Sequence, residues 1–193
     1  YVVDRSRIAA RRIPEEDGEV LVSAGGGAVS EALLETALAV RPRTDLANTR
    51  WRFLIGHNLP EADFTAYRDN APDGITVERS RPDFPQLLAN CRLSISQGGY
   101  NTVMEVLAAR TPAVCIPYAG GLESEQTLRC RLLADRGALE IIEPDAVNPA
   151  AVAAAADRAV AETRATAAGL DLAGAQNSAR ILKSALERHR NDA

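Results

Sequence analysis

The chain has 193 residues and a formal net charge of −4 at pH 7, which fits one globular domain with short appendages. The acidic balance argues against a nucleic-acid partner, because a nucleic-acid-binding domain usually carries a basic surface. No apolar run approaches the ~20 residues that a membrane-spanning helix needs, and the first residues lack the regions of a signal peptide, so a cytoplasmic location is expected.

The first part of the chain predicts a linker, a strand, a glycine turn and a helix. Residues 1–18 have no clean periodicity and end in the polar sequence PEEDG, which is typical of a linker or an arm from a preceding domain. Residues 19–23 form a short apolar run that favours a buried parallel strand. A glycine turn at residues 25–27 follows, and residues 28–40 place their apolar side chains on one helical face.

The same alternation continues to the C-terminus. Further strands are predicted at residues 51–55, 75–79, 92–96, 113–117 and 138–142. Further helices are predicted at residues 60–70, from 82 onward, and at 100–110, 123–136, 149–163 and 172–188. This order predicts an α/β fold, in which residues 19–193 form one domain with a Rossmann-like parallel sheet of about six strands flanked by helices. The glycine turns after the first and fourth strands are expected to face each other at the topological switch point.

The turn after the fourth strand is the strongest candidate for a binding site. Gln97, Gly98 and Gly99 end the strand, and Asn101 and Thr102 lie in the first turn of the next helix. Glycine lets the backbone approach a ligand closely, and a helix start offers unpaired N–H groups and a positive dipole end. These features suit a phosphate or a diphosphate. The alternative is that the asparagine or the threonine merely caps the helix.

Glu105 follows Asn101 by one helical turn, about 6 Å along the axis and on the same face. A nucleoside diphosphate has its ribose about that far from its phosphates, and a carboxylate can accept two hydrogen bonds from the ribose diol. The alternative is a solvated helix glutamate.

Two further pairs of residues could contact the rest of such a ligand. Glu125 and Gln126 begin the helix after the fifth strand, where a carboxylate and an amide could bind vicinal hydroxyls of a hexose. A first-turn glutamate favoured by the helix dipole is the alternative. Arg79, Ser80 and Arg81 follow the third strand and could flank a nucleotide base, with Phe84 nearby; the alternative is a solvated turn beside a core phenylalanine.

Other kinds of site are disfavoured. There is no Asp-x-Asp, and His57 and His189 are the only histidines, so neither a metal nor a cofactor is expected. No P-loop or Gly-x-Ser-x-Gly elbow is present, and the first glycine turn departs from the dinucleotide fingerprint. Cys91, Cys115 and Cys130 are odd in number and separated, which favours reduced core thiols over a disulfide framework.

The run from Gln97 to Glu105, with Pro112, Pro117 and the Glu125-Gln126 pair, resembles the donor-site signature of GT-B glycosyltransferases. The closest resemblance is to the family 28 C-terminal domain, the family that includes the peptidoglycan N-acetylglucosaminyltransferase. It extends over residues from about 19 to 165. Two departures leave contacts open, because many relatives have His at the position of Gln97 and Asp or Gln at the position of Glu125.

The resemblance implies that these residues bind a nucleotide-sugar donor. The resemblance implies that Gly99, Asn101 and Thr102 hold the diphosphate, that Glu105 binds the ribose, and that Glu125 and Gln126 bind the transferred sugar. The turn Gly25, Gly26 and Gly27 would face the diphosphate and the interdomain cleft, and the segment from Arg79 to Phe84, with Arg81 and Phe84, would meet the base, usually uracil. Gln97 and Gly98 are also expected to bind the donor.

The resemblance also implies that the chain is one half of a two-domain enzyme, whose N-terminal domain holds the acceptor and usually the catalytic base. The expected function is the donor-binding half of an inverting, metal-independent glycosyltransferase, which transfers a hexose or N-acetylhexosamine from a UDP-sugar to an unknown acceptor. The isolated domain is expected to be inactive, and peripheral membrane association is considered for the full-length protein. The alternatives are a non-catalytic nucleotide-sugar-binding subunit that needs a separate membrane partner, and a UDP-sugar hydrolase.

Overall fold

The computed structural model of the protein describes residues 15–25, 30–118, 124–161 and 170–191. The six strands in these ranges form one parallel sheet in the order β3-β2-β1-β4-β5-β6, which confirms the expected fold class. The strands are β1 (Val20–Ala24), β2 (Trp51–Ile55), β3 (Ile75–Arg79), β4 (Leu93–Ser96), β5 (Ala113–Cys115) and β6 (Glu140–Ile141).

Helices cover both faces of this sheet and produce three layers. One face packs against α1 (Ser30–Val40), α2 (Glu61–Asp69) and α6 (Pro149–Ala161). The other face packs against α3 (Phe84–Asn90), α4 (Tyr100–Ala109) and α5 (Glu125–Ala134). The predicted helices and strands are therefore present, and within the described ranges their ends differ from the prediction by at most three residues. The predicted helical residues 28–29, 123 and 162–163 lie outside those ranges.

The central strands are apolar on both faces because both faces are covered. Along β1, Val20 and Val22 point to the core shared with α1 and α6, whereas Leu21 points to the core shared with α4 and α5. On β2, Phe53 points to the first of these cores and Leu54 points to the second. Since burial of each such side chain contributes about 1.5–3 kcal/mol, the alternating faces fix the register of the sheet as well as its stability.

The strand β6 is shorter than the predicted strand at residues 138–142, and the end of α5 gives the reason. Gly137 adopts a left-handed conformation with φ +66°, which is typical of a glycine that follows the end of a helix. The N–H of Ala138 then donates to the carbonyl of Leu133 at 3.0 Å. Because this N–H closes the helix, it is not available to extend the sheet.

The predicted linker is described only at its last residues, and residues 1–14 lie outside the described ranges. Glu15–Asp17 form one turn of 3-10 helix. A Cβ atom added to Gly18 would come within 2.6 Å of the backbone nitrogen of Arg92, so this glycine packs directly against the segment that precedes β4.

The last helix, α7 (Gly174–Asn191), follows Leu170 and Leu172, which pack against the core of the second face. Farther along it, Ile181, Leu182 and Leu186 expose 62%, 64% and 70% of their surface. Within the described ranges no helix combines the length and the apolar character needed to cross a membrane.

The strand order places the topological switch point between β1 and β4, which are neighbours in the sheet but lead to helices on opposite faces. Gly25 follows β1 and Gln97 follows β4, and a Cβ atom added to Gly25 would lie 3.3 Å from the Oε1 atom of Gln97. The predicted approach of the two glycine turns is thus confirmed at these two residues. Gly26 and Gly27 lie outside the described ranges.

Candidate functional site

The turn between β4 and α4 depends on glycine at residue 98. Gly98 has φ +75°, a left-handed conformation that side chains other than hydrogen disfavour. A Cβ atom at this position would also lie only 2.5 Å from the Sγ atom of Cys130. The inner side of the turn therefore packs tightly against the core, and its outer side faces the switch point.

The start of α4 lacks a side-chain cap among the residues that the structure describes. Gly99 occupies the N-cap position and provides no side-chain cap, so the alternative that Asn101 or Thr102 caps this helix is wrong. The first intrahelical bond joins the N–H of Val103 to the carbonyl of Gly99 at 3.0 Å. The N–H groups of the preceding turn point along the positive end of the helix dipole, which makes this helix start suitable for an anion. The side chain of Asn101 is exposed and that of Thr102 is half-buried.

Glu105 lies on the face of α4 that turns away from the protein core. Val103, Met104, Val106 and Leu107 are buried on the opposite side, whereas Glu105 is half-buried. The helix thus has its start and this carboxylate one turn apart. Its role in binding a ribose remains a prediction.

Glu125 and Gln126 begin α5 as expected, but with different surroundings. Glu125 leaves 69% of its side chain exposed and forms an ion pair with Arg129. The Oε1 atom of Gln126 accepts a hydrogen bond from the N–H of Tyr118 at 3.4 Å, so this amide holds the chain after β5 close to the helix. Ser124 is the N-cap residue of α5 and forms no side-chain capping bond.

Arg129 is the member of this region that the sequence interpretation missed. Only 6% of its side chain is exposed, and its Nη1 atom donates to the carbonyl of Gly98 at 2.9 Å. Its guanidinium carbon also lies 5.2 Å from the centre of the Tyr100 ring. The available signal was the spacing of four residues from Glu125, which is typical of an ion pair along a helix.

A cavity of about 300 Å³ opens beside the switch point, between α1 and the segments that follow β4, β5 and β6. Gln97 and Tyr118 contribute polar atoms to it, and the rest of its lining is mainly apolar. Its lining residues are Ala32, Leu33, Thr36, Gln97, Ile116, Pro117, Tyr118, Pro144 and Val147.

The structure places Arg81 and Phe84 at the same edge of the sheet, where α3 begins and packs beside α4. Arg81 donates hydrogen bonds to Asp83 at 2.7 and 2.8 Å and to Glu78 at 2.9 Å, and these carboxylates raise the pKa of Arg81. Phe84 is half-buried against the core of the second face. The arginine is thus already paired, and the phenylalanine keeps part of its ring accessible.

Two of the three thiols meet beneath the turn, although the sequence shows them as separated. Cys91, Cys115 and Cys130 are all buried, which confirms their interpretation as core residues. The neighbouring Cys130 thiol and burial raise the pKa of Cys115. The pair therefore forms the floor under Gly98, a contact between residues of β5 and α5 that sequence spacing could not reveal.

A doubly wound parallel sheet with an open helix start at its switch point defines a Rossmann-like, ligand-binding α/β domain. Residues 20–184 match the glycosyltransferase family 28 C-terminal domain, and the chain belongs to that family. The resemblance seen in the sequence is therefore confirmed.

Individual relatives agree with this assignment. The UDP-N-acetylglucosamine--N-acetylmuramyl-(pentapeptide) pyrophosphoryl-undecaprenol N-acetylglucosamine transferase of Rhodospirillum centenum is 28% identical over 155 residues, which are 78% of this chain and 40% of the relative. The first curated relatives are matched over 27% to 40% of their own length, so the chain spans less than half of them.

Solved glycosyltransferases share the fold. Acinetobacter baumannii MurG superposes with a TM-score of 0.53 at 22% identity, over 78% of this chain and 48% of that one. The spinosyn rhamnosyltransferase SpnG complexed with thymidine diphosphate gives a TM-score of 0.60 at 21% identity, over 83% and 40% of the two chains.

Proposed function

We propose that this chain is the donor-binding domain of an inverting, metal-independent glycosyltransferase that uses a UDP-sugar carrying a hexose or N-acetylhexosamine. The observation that carries the proposal is the open start of α4 at Gly99 with Glu105 one turn farther along the same helix. The names of the relatives support UDP-N-acetylglucosamine as the first donor to test.

The proposed chemistry is direct displacement. The acceptor oxygen attacks the anomeric carbon, and the bond to the diphosphate breaks with its electron pair leaving on the phosphate oxygen. Negative charge therefore grows on the diphosphate in the transition state. The N–H groups and dipole of α4, with the side chains of Asn101 and Thr102, would stabilise this charge because they are oriented before the reaction begins.

Contacts to the ribose and to the sugar would determine which nucleotide-sugar binds. The Glu105 carboxylate would accept hydrogen bonds from the ribose diol, and Glu125 with Gln126 would contact the sugar. We assign the acceptor site, and the base that removes the proton of the acceptor, to a second domain. The 193-residue chain alone should therefore bind the donor but transfer little or no sugar.

The ribose assignment gives the sharpest test, because UDP carries a 2′-hydroxyl that dTDP lacks. Titration calorimetry of the wild-type chain should show tighter binding of UDP than of dTDP. The Glu105→Ala variant should lose about tenfold in UDP affinity, which corresponds to loss of a charged hydrogen bond, and much of the preference for UDP. Glu187→Ala, at an exposed position on α7, is the matched control and should bind both nucleotides like the wild type.

Two results would count against the proposal. If the wild-type chain does not bind UDP, the assignment of the whole donor site is wrong. Unchanged UDP affinity in Glu105→Ala, with the wild type binding normally, would remove only the ribose assignment.

A further inference from the structure

Arg129 connects three parts of the candidate donor site from beneath. Its side chain is 94% buried, a position at which a guanidinium needs a compensating charge. Within the described part of the chain its Nη1 atom has a hydrogen-bond acceptor, whereas its Nη2 atom has the ion pair with Glu125 but no hydrogen-bond partner. One nitrogen donates to Gly98, another forms the ion pair with Glu125, and Tyr100 covers the guanidinium at cation–π distance. These contacts join β4, α4 and α5 at the edge of the sheet where the site lies.

The hydrogen bond to Gly98 fixes the orientation of one peptide group. In a planar trans peptide the carbonyl of Gly98 and the N–H of Gly99 point in opposite directions. Because Arg129 holds this carbonyl toward the buried side, the N–H of Gly99 is directed away from Arg129. The N–H of Gly99 therefore points to the same side as the N–H groups at the start of α4 and not into the core.

The ion pair with Glu125 has an electrostatic consequence. An uncompensated carboxylate at the start of α5 would repel the diphosphate of a nucleotide-sugar. The Arg129 guanidinium balances this charge, while the 69% exposure of the Glu125 side chain leaves it open to hydroxyl groups of a sugar. A carboxylate can therefore contact the sugar without opposing the binding of the anionic part of the same ligand.

We infer that Arg129 is a positioning residue of the donor site, which holds the diphosphate turn at Gly98 and the sugar-facing Glu125 in one arrangement and neutralises Glu125 beside the diphosphate. The inference rests on the proposed function of the site. Arg129 acts through these residues and does not itself contact the donor.

The test compares UDP with uridine, because uridine lacks the diphosphate but keeps the base and ribose. NMR titration of the chain gives the ratio of the uridine Kd to the UDP Kd. Arg129→Gln should weaken UDP binding by about tenfold and leave uridine binding unchanged. Arg131→Gln is the matched control, since Arg131 lies on the same helix in an exposed ion pair with Glu143, and it should change neither affinity.

Glu125 provides a second readout, which is how the effect of Glu125→Gln on UDP binding depends on the presence of Arg129. With Arg129 intact, Glu125→Gln should bind UDP about two- to fivefold more tightly at low salt, because the guanidinium charge is no longer balanced. In the Arg129→Gln background the same change should restore part of the UDP affinity, since it removes an unpaired carboxylate. If Arg129→Gln does not fold alone, the double variant Arg129→Gln/Glu125→Gln, which leaves no unpaired charge, should still bind UDP more weakly than Glu125→Gln does.

The outcomes separate this inference from the proposed function. If wild-type chain binds UDP no better than uridine, the proposed function fails first. If it prefers UDP, but Arg129→Gln keeps the wild-type ratio or Glu125→Gln leaves UDP binding unchanged or weaker, the role of Arg129 is overturned while the donor site stands.

Discussion

A Cβ atom on Gly98 would lie 2.5 Å from the Sγ atom of Cys130, so the turn after β4 has no room for a side chain on its inner surface. The glycine also has φ +75°, and each of these facts alone disfavours substitution. The path of the proposed diphosphate turn is therefore set by the core beneath it.

Gly98→Ala should lower the free energy of unfolding by about 2–4 kcal/mol, because backbone strain and overpacking add. Urea denaturation measures the loss. Two controls separate the contribution of backbone strain from that of overpacking. Gly137→Ala, at φ +66° with no described heavy atom within 4 Å of its Cβ position, should show only the loss from backbone strain, about 1 kcal/mol. Adding Cys130→Ala to Gly98→Ala should recover part of the packing loss. Equal stability of Gly98→Ala and the wild type would contradict the close contact.

Gly99→Ala should behave in the opposite way. Among the described residues no heavy atom lies within 4 Å of the position that its Cβ would occupy, and its φ of −57° is ordinary. The substitution should change the free energy of unfolding by less than about 1 kcal/mol, yet weaken UDP binding because the methyl group enters the proposed site. Calorimetry on the folded variant checks the affinity. Wild-type affinity for UDP would place the diphosphate elsewhere.

Glu78 should make stability depend on pH. Partial burial alone would raise its pKa, but hydrogen bonds from Arg81 and Arg52 outweigh this effect and hold the pKa of Glu78 below its usual value. The depressed pKa stabilises the folded state above about pH 4.5, and this stabilisation is lost as the pH falls through the folded-state pKa.

The consequence is a pH-dependent cost of Glu78→Gln. The variant should be about 1–2 kcal/mol less stable than the wild type at pH 7, and the difference should shrink as the pH falls below about 4.5. Urea denaturation over this pH range measures it. Glu61→Gln is the control, because Glu61 pairs with Arg79 while its side chain is 74% exposed, and it should change stability little at any pH. A constant Glu78→Gln effect across the range would contradict the assignment.

The three buried thiols should be protected in the native protein. Cys91, Cys115 and Cys130 are fully enclosed, so a thiol reagent such as DTNB should react slowly with the folded chain and rapidly with all three in denaturant. Rapid native labelling of Cys130 would show that the floor of the turn opens readily. Peptide mapping identifies the residue that reacts.

The sequence was sufficient for the parts of the fold that local patterns specify. Strands that are apolar on both faces, helical periodicity and glycines between the elements predicted the parallel sheet. The approach of Gly25 to Gln97 followed from the topology rule for parallel sheets rather than from either residue.

The features that escaped prediction depend on contacts between distant segments. Arg129 looked like one arginine among many, and its importance arises from the carbonyl of Gly98, 31 residues earlier in the chain. The pairing of Cys115 with Cys130 and the engagement of Gln126 with Tyr118 arise in the same way. The absence of a side-chain cap at Gly99 required the backbone geometry itself.

The most direct test of the central claim is a crystal structure of the chain with UDP, supported by the solution affinity. We predict diphosphate oxygens within hydrogen-bond distance of the N–H groups of Gly99, Asn101 or Thr102, and the ribose hydroxyls on Glu105. UDP bound away from the start of α4, or no binding at millimolar UDP, would contradict the account.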